Sequence, residues 1–263
     1  MALLDVVRQG ATETWTLNDP ATRNALSEAL VRDLQAACER AAQDSSLRFV
    51  VLAGAGGAFC AGGSLGGFAE AIGQALSPGT PDPLAAMNRR FGALLQSLCD
   101  LPQVLVAVVN GSAMGGGLGL VCCADFVLAG YRAVLAAPEV TLGVVPAQIA
   151  PFVLRRLGDR AARQCLLTGR KWTAWEALQL GLVDEVHAAD ELPAALQAVL
   201  ARLGQAGPRA LAATKELLAA SQGQGLPDVL DQAAVLFAGS LRGAEAAEGL
   251  RAFSSKATPG WGL

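Results

Sequence analysis

Two glycine-rich segments, each placed directly after an apolar strand-like run, most strongly constrain how this chain can fold. The first, GAGGAFCAGGSLGGF, covers residues 54–68 and follows Phe49–Leu52. The second, NGSAMGGGLGLVCCADF, covers residues 110–126 and follows Val104–Val109. Ordering glycine costs more backbone entropy than ordering any other residue. Such clusters therefore indicate turns at which the backbone itself approaches a neighbouring group.

Runs rich in β-branched residues and bounded by glycine or polar residues predict the strands of the fold. They occur at Thr12–Leu17, Phe49–Leu52, Val104–Val109, Phe126–Ala129 and Val183–Val186. Helical patterns lie between them, so the order of elements predicts an α/β fold.

Capping residues mark where several helices begin. Ser27 precedes a helix whose apolar face is formed by Leu30, Val31, Leu34, Ala37, Cys38 and Ala41. Asp82, followed by Pro83, begins a helix that continues to Leu98. Thr173 and Glu176 have capping-box spacing, and Gly181 ends that short helix. From Leu192 onward the pattern is helical, with breaks near residues 204–208 and 223–227.

Composition excludes several classes of protein. Of the 263 residues, 52% are hydrophobic and 16% are charged, and the net charge is −3, so a large core is available and no basic surface for nucleic acid or membrane is indicated. The six cysteines form no C-x-x-C pair and only one histidine is present, which argues against a metal site. Buried free thiols, no signal peptide and no membrane-spanning run predict a cytoplasmic protein.

Neither glycine segment fits a nucleotide-binding loop. A dinucleotide fingerprint that begins at Gly54 meets Phe59 where glycine is needed, and one that begins at Gly115 meets Leu120. Both segments instead read as strand–turn–helix junctions that expose backbone N–H groups. Two such donors, converging at one point and helped by a helix dipole, would form an oxyanion hole. The alternative is that the glycines only permit tight turns.

Several motifs, taken together and in order, resemble the crotonase (enoyl-CoA hydratase/isomerase) superfamily. The resemblance is carried by Pro20–Leu26 (PATRNAL), Phe59–Ser64 (FCAGGS), Val109–Gly117 (VNGSAMGGG), Ala137–Pro146 (APEVTLGVVP), Leu167–Arg170, Gly181–Val183 and Glu248–Phe253. It implies a crotonase-like spiral of ββα units over residues 1–200 and a C-terminal helical trimerisation region over residues 201–263. It also implies a homotrimer or a hexamer built as a dimer of trimers, and an acyl-CoA thioester substrate. No separate cofactor is implied, because the substrate carries coenzyme A.

The same resemblance assigns roles to individual residues. The backbone N–H groups of Gly63 and Gly116 correspond to the oxyanion donors, and Glu139 corresponds to the acid/base. The candidate substrate-binding residues are Arg23, Ala25, Ala61, Gly62, Met114, Gln148 and Lys256. Arg23 and Lys256 would lie near the CoA phosphates, although either could be an ordinary surface charge. Met114 would line the acyl pocket, and Gln148 could supply a polar contact.

The chain departs from the hydratase pattern at Gly119, where these hydratases carry a second glutamate. Three interpretations stay open: a hydratase that works with Glu139 alone, a Δ3,Δ2-enoyl-CoA isomerase, or a non-catalytic acyl-CoA-binding relative. The segment Ala147–Val153 and the glycine at position 119 resemble hydratases of branched glutaconyl-CoA thioesters. We therefore favour the hydratase.

Other residues are more ambiguous. The glycine- and proline-rich stretch Gly66–Pro83 predicts a mobile loop that shapes the pocket. Arg89 and Arg90 could pair with a distal substrate carboxylate, but a solvated helix face is the simpler interpretation. Ser64 is interpreted as a turn cap, and His187 as a surface residue.

Overall fold

The computed structural model describes residues 2–63, 76 and 79–262. Ser64 and most of the predicted loop Gly66–Pro83 lie outside these residues. Within them the chain forms β1 (Leu4–Gln9), β2 (Thr12–Leu17), β3 (Phe49–Gly54), β4 (Val104–Val109), β5 (Ser112–Met114), β6 (Phe126–Gly130), β7 (Val134–Ala136), β8 (Trp172–Thr173) and β9 (Glu185–His187). The helices are α1 (Glu28–Gln43), α2 (Pro83–Cys99), α3 (Gly116–Cys122), α4 (Ala150–Thr168), α5 (Ala174–Gln179), α6 (Leu192–Gly204), α7 (Pro208–Ala220), α8 (Leu226–Arg242) and α9 (Ala244–Ser255).

The strands form two sheets. The larger has the order β1-β2-β3-β4-β6-β9; β1 and β2 pair antiparallel, and every later pair is parallel. The smaller has the order β5-β7-β8. Because β4 belongs to the first sheet and β5 to the second, the chain changes sheets at Asn110–Gly111, inside the second glycine segment. The α/β fold class predicted from the sequence is confirmed.

The helix caps form as predicted. Ser27 Oγ accepts from the N–H of Leu30 at 3.2 Å, and Asp82 Oδ1 accepts from the N–H of Leu84 at 2.8 Å. Thr173 and Glu176 make both hydrogen bonds of the capping box. These side chains satisfy N–H groups that have no acceptor within their own helix.

The large sheet is covered on both faces. On one face Val50 and Leu52 pack in the main core with the buried face of α1. On the other face Phe49 and Val51 pack against α6. Two-sided burial explains why β3 and β4 read as nearly continuous apolar runs. It also makes the carboxyl ends of these strands a rigid support for the glycine turns that follow.

Four expectations need correction. The strand expected at Val183–Val186 is Glu185–His187, because the N–H groups of Leu182 and Val183 bond back to Ala177 O at the end of α5. The C-terminal helical run has a further break at Gly243, between α8 and α9. Cys99 is partly exposed, whereas the other five cysteines are buried as expected. His187, expected at the surface, is half-buried and its Nε2 lies 2.9 Å from Glu185.

None of the helices in the described part of the chain is long and apolar enough to cross a membrane. The division of the chain near residue 200 stays a prediction.

Candidate active site

The first glycine turn is held in place by Asn24, which is fully buried. Its Nδ2 donates to the carbonyl oxygens of Ala58 at 2.9 Å and Phe59 at 3.2 Å, and its Oδ1 accepts from the N–H of Asp19 at 2.9 Å. The backbone of Asn24 is left-handed, with φ +60°, a conformation that asparagine tolerates better than most residues. No sequence pattern predicted this role, although Asn24 belongs to the PATRNAL motif.

The two glycine turns pack directly against each other. The N–H groups of Phe59 and Cys60 donate to Ser112 O at 3.0 Å, and the N–H of Met114 donates to Cys60 O at 2.9 Å. A β-carbon at Gly62 would lie 2.7 Å from Met114 O and 3.5 Å from the amide nitrogen of Gly116. Only glycine fits this contact, so the structure brings the two predicted donor segments together.

The N–H groups of both predicted donors lack a backbone acceptor within residues 2–63, 76 and 79–262. Gly116 is the first residue of α3, where an N–H has no acceptor within the helix. Among the described residues, neither Gly63 nor Gly116 donates to a backbone acceptor, whereas the N–H of Gly115 bonds to Ala136 O at 2.8 Å. Neither N–H therefore has to give up a backbone hydrogen bond within these residues in order to donate to an added acceptor.

Glu139 places a carboxylate beside the second turn. It begins a 3₁₀ turn, Glu139–Leu142, and a β-carbon at Gly115 would lie 2.7 Å from its Oε1. Its Oε2 is buried and has no hydrogen-bond partner among the described residues. Burial raises the pKa of this carboxyl above its ordinary value. The group is thereby moved toward the range in which it can both take up and release a proton near neutral pH.

The position of the missing glutamate is filled by hydrocarbon. A β-carbon at Gly119 would lie 2.5 Å from Ile149 Cγ2 and 3.5 Å from Leu95 Cδ1. Both of these neighbouring side chains are buried. A carboxylate at position 119 therefore has no space beside these two side chains.

Apolar side chains also cover the first residue of α3. A β-carbon at Gly116 would lie 2.6 Å from Leu26 Cδ1 and 3.1 Å from Phe91 Cζ. The side chain of Gln148 packs against α2 nearby. A β-carbon at Gly92, on α2, would lie only 1.8 Å from Gln148 Oε1. The amide of Gln148 makes no hydrogen bond within the described residues and is half-buried. It is thus a polar group available beside an otherwise apolar surface.

Of the other candidate substrate-binding residues, most lie at or beside the glycine turns, and Lys256 lies at the end of α9. Arg23 O accepts from the N–H of Ala61 at 3.0 Å, so both residues lie at the first turn, next to Gly62, while the Arg23 side chain is exposed. Ala25 lies in the same segment, directly before Leu26, and Met114 is half-buried between the turns. Lys256 ends α9 in a left-handed conformation with an exposed side chain.

The two arginines of α2 lie on its exposed face. Arg90 forms an ion pair with Glu28 at 2.8 Å, and both side chains are exposed. Arg89 is exposed as well. This arrangement fits the solvated helix face, which was the simpler of the two interpretations.

Comparison with known proteins supports one family over the whole length of the chain. The family model described as Enoyl-CoA hydratase/isomerase matches residues 8–262. The 2,3-dehydroadipyl-CoA hydratase of Escherichia coli is 36% identical over 261 residues, which cover 98% of each chain. Two solved structures are similar in fold: Pseudomonas aeruginosa AtuE, with TM-score 0.94 and 42% identity over 99% of this chain and 100% of that one, and an enoyl-CoA hydratase/isomerase from Marinobacter aquaeolei, with TM-score 0.93 and 41% identity over 99% of each.

Proposed function

Because the chain belongs to the enoyl-CoA hydratase/isomerase family and is therefore an enzyme, we propose that it adds water to a 2-enoyl-CoA thioester. The observation that carries this proposal is the buried carboxylate of Glu139. Among the described residues its Oε2 has no hydrogen-bond partner, and the N–H groups of Gly63 and Gly116 have no backbone acceptor. An acid/base next to a pair of main-chain donors suits the addition of a proton and a hydroxyl to a polarised double bond.

The N–H groups of Gly63 and Gly116 polarise the thioester carbonyl in this proposal. Hydrogen bonds to the carbonyl oxygen draw electron density from C3, and the oxyanion of the enolate intermediate is stabilised as it forms. One donor of such a pair typically contributes about 10²–10³ in rate. The contact of Gly62 with Met114 O and Gly116 N supports the role, since it fixes the spacing of the two segments.

Glu139 transfers the protons in this proposal. Its ionised form takes a proton from water as the water oxygen bonds to C3, and its protonated form then gives a proton to C2. The product is the 3-hydroxyacyl thioester. Proton transfer by a positioned side chain contributes about 10²–10⁴ in rate, and a pKa near the working pH makes one group able to act in both directions.

A Δ3,Δ2-enoyl-CoA isomerase is the second candidate, and the packing at Gly119 favours it. Ile149 and Leu95 occupy the place of a second carboxylate. A single carboxylate is sufficient when one proton moves between C2 and C4, because no water has to be activated. The half-buried amide of Gln148 supports the hydratase instead, since it could hold a water molecule next to the apolar surface.

The proposed substrate is a branched glutaconyl-CoA thioester. The relative from Escherichia coli is named for a thioester whose acyl group ends in a carboxylate, which supports a second carboxylate in the substrate. Comparing turnover of a glutaconyl-type thioester with that of an unbranched monocarboxylic enoyl-CoA tests this extension. Higher kcat/KM for the monocarboxylic substrate would contradict it.

We further propose assembly into a homotrimer, or a hexamer made of two trimers, through the C-terminal helices. Helices α8 and α9 expose large apolar side chains: Leu226, Leu230, Val235, Phe237, Leu241, Leu250 and Phe253. An apolar surface of this kind is typical of a protein interface. The mass of the assembly in solution, measured by sedimentation equilibrium, tests the proposal, and a monomer would contradict it. The cytoplasmic location stays a prediction.

Glu139→Gln is the decisive variant for the catalytic assignment. The amide keeps the shape of the side chain but cannot shuttle a proton, so we expect kcat to fall by about 10²–10⁴. Binding of a CoA thioester should change little. Glu39→Gln, on the exposed face of α1, is the matched control and should keep wild-type turnover.

The choice of substrate separates the candidate functions. A hydratase converts the 2-enoyl thioester to the 3-hydroxy product, and in ¹⁸O-labelled water this product carries the label. An isomerase interconverts 2-enoyl and 3-enoyl thioesters without incorporating the label. Wild-type protein that binds both thioesters and converts neither would overturn the proposal in favour of a non-catalytic relative. Full activity in Glu139→Gln would refute only the role of Glu139 and would leave the proposed reaction standing.

A further inference from the structure

Two cysteines and an arginine meet near the C-terminal end of α3, the helix that begins at Gly116. Cys99 is the last residue of α2, Cys123 directly follows α3, and Arg155 lies on α4. Arg155 Nη2 lies 2.9 Å from Cys99 Sγ, and the thiols of Cys99 and Cys123 are within hydrogen-bonding reach of each other. The Arg155 guanidinium also lies over the ring of Phe152, 5.9 Å from its centroid, which helps to fix its position.

The two thiols have different environments. The hydrogen bond from Cys123, together with the charge of Arg155, lowers the pKa of Cys99, although partial burial and the neighbouring Asp100 act in the opposite direction. Burial, and the hydrogen bond with Cys99, raise the pKa of Cys123 well above its ordinary value. Of the two thiols, Cys99 therefore loses its proton more readily, and the thiolate is the form that reacts as a nucleophile.

Cys99 is also the accessible member of the pair. It is half-buried, whereas Cys123 and the four remaining cysteines are buried. A surface cavity of about 500 Å³, whose lining includes Cys99, Arg209, Lys215 and Glu216, opens next to it. A small oxidant can reach Cys99 through this cavity without any change in the core.

From this geometry we propose that Cys99 is a peroxide-sensitive site and that Cys123 is its resolving thiol. The Cys99 thiolate attacks one oxygen of hydrogen peroxide; the O–O bond breaks and the products are a sulfenic acid and hydroxide. The sulfur of Cys123 then attacks the sulfenic sulfur, a disulfide forms, and water leaves with the proton of the thiol. Peroxide is reduced and the two thiols are oxidised, and a dithiol reverses the reaction.

The disulfide would displace part of helix α3. Cys123 Sγ also lies 3.2 Å from Gly119 O, inside α3, so this carbonyl is a second acceptor for the same thiol proton. Bonding to Cys99 removes this donor, because the sulfur no longer carries a proton and has to move towards α2. Helix α3 has only seven residues and begins at Gly116, so a shift at its C-terminal end displaces the Gly116 amide. A misplacement of roughly 1 Å at a reacting group can lower the rate about 10²-fold. This consequence, unlike the disulfide itself, rests on the proposed function.

Peptide mapping of the full-length protein tests the disulfide directly. After treatment with hydrogen peroxide and digestion without reductant, mass spectrometry should find the peptides of Cys99 and Cys123 joined, with the loss of two hydrogens, and dithiothreitol should separate them. In Cys123→Ser, a dimedone probe should label Cys99 as the sulfenic acid. In Arg155→Gln, the joining should slow about tenfold, because less of Cys99 is a thiolate.

Cys38→Ala is the matched control, since Cys38 is buried in α1 outside this cluster, and it should form the link at the wild-type rate. A link that fails to form in the folded wild-type protein, or that forms equally fast in Arg155→Gln, would overturn the proposal. Turnover is measured on the same oxidised sample. If the disulfide forms and turnover is unchanged, only the effect of the disulfide on catalysis is refuted. Failure of the proposed function is a different result, because the untreated enzyme would then already lack hydratase activity.

Discussion

Gly116 and Gly119 lie one turn apart on α3 and serve opposite purposes. The N–H of Gly116 has no backbone acceptor among the described residues, whereas the N–H of Gly119 bonds to Gly115 O at 3.1 Å. A β-carbon at Gly116 would push on the tips of Leu26 and Phe91, and one at Gly119 would push on Ile149. At Gly116, an N–H group without a described backbone acceptor thus lies beneath the apolar side chains of Leu26 and Phe91. Gly119 makes room for a neighbour in the core.

This difference explains how the chain can lack a second glutamate without leaving a hole. Removing a carboxylate from a buried site would leave a cavity or a trapped water if nothing replaced it. Here Ile149, only 3% exposed, packs onto the α-carbon of Gly119. The surroundings of Gly119 are therefore apolar, and the acid/base work proposed above falls to Glu139.

The largest effect is expected from Gly116→Ala. The added methyl has to displace Leu26 Cδ1 and Phe91 Cζ or shift the start of α3, and the open N–H moves with it. A displacement of roughly 1 Å lowers kcat/KM by about 10²-fold. Gly223→Ala is the matched control, because a β-carbon there meets no atom within 4 Å, and its kcat/KM should equal that of the wild type. If Gly116→Ala kept the wild-type kcat/KM, the position of the Gly116 N–H would not matter for turnover, and Gly116 would not differ from Gly119 in function.

Gly119→Ala should affect stability more than rate. Its β-carbon would lie 2.5 Å from Ile149 Cγ2 in a closely packed core, and such overpacking typically lowers the free energy of unfolding by about 1–3 kcal/mol. Turnover should change much less than in Gly116→Ala, since the Gly119 N–H is already bonded within the helix. Urea denaturation measures the loss.

The partner of Gly119 can be tested by a double-mutant cycle. Ile149→Ala alone leaves a cavity and should cost about 2–5 kcal/mol. Combined with Gly119→Ala, it removes the clash, so the double variant should be more stable than the sum of the single losses by about 0.5–3 kcal/mol. Strictly additive losses would show that Gly119 and Ile149 do not form the packed pair described above.

The sequence predicted the elements whose signals are local. Both bounds of β2 and β4 follow from β-branched runs, and the cap at Ser27 follows from one hydroxyl before an apolar stripe. Strand β1 has no such signal, because five of its six residues are exposed and no alternation marks a buried face. Strands β5, β7 and β8 have only two or three residues each, too few for a period to show.

Contacts between distant segments left no comparable signal. The packing of Ile149 on Gly119 joins residues thirty positions apart, and Asn24 holds carbonyl groups more than thirty positions further along the chain. The side chains of an apolar segment look alike whether they line a substrate pocket or fill the place of a missing side chain. The glycines could therefore be recognised as points of close approach from the sequence, but which neighbour each one approaches required the fold.

The smallest effect is expected in the pH dependence of stability at Glu139. Burial raises the pKa of this carboxyl in the folded protein, so its contribution to stability is fully present below the pKa of the unfolded chain, about 4.3, and is lost as the pH rises through the higher folded value. Glutamine carries no charge at any pH. We expect Glu139→Gln to match the wild type at about pH 4 and to exceed it in free energy of unfolding at about pH 7. Urea denaturation at both pH values measures this difference. An advantage of Glu139→Gln that stays constant with pH would mean that burial does not disfavour the ionised carboxyl of Glu139. The buried carboxylate beside Gly115 would then have no electrostatic distinction from the apolar packing beside Gly119.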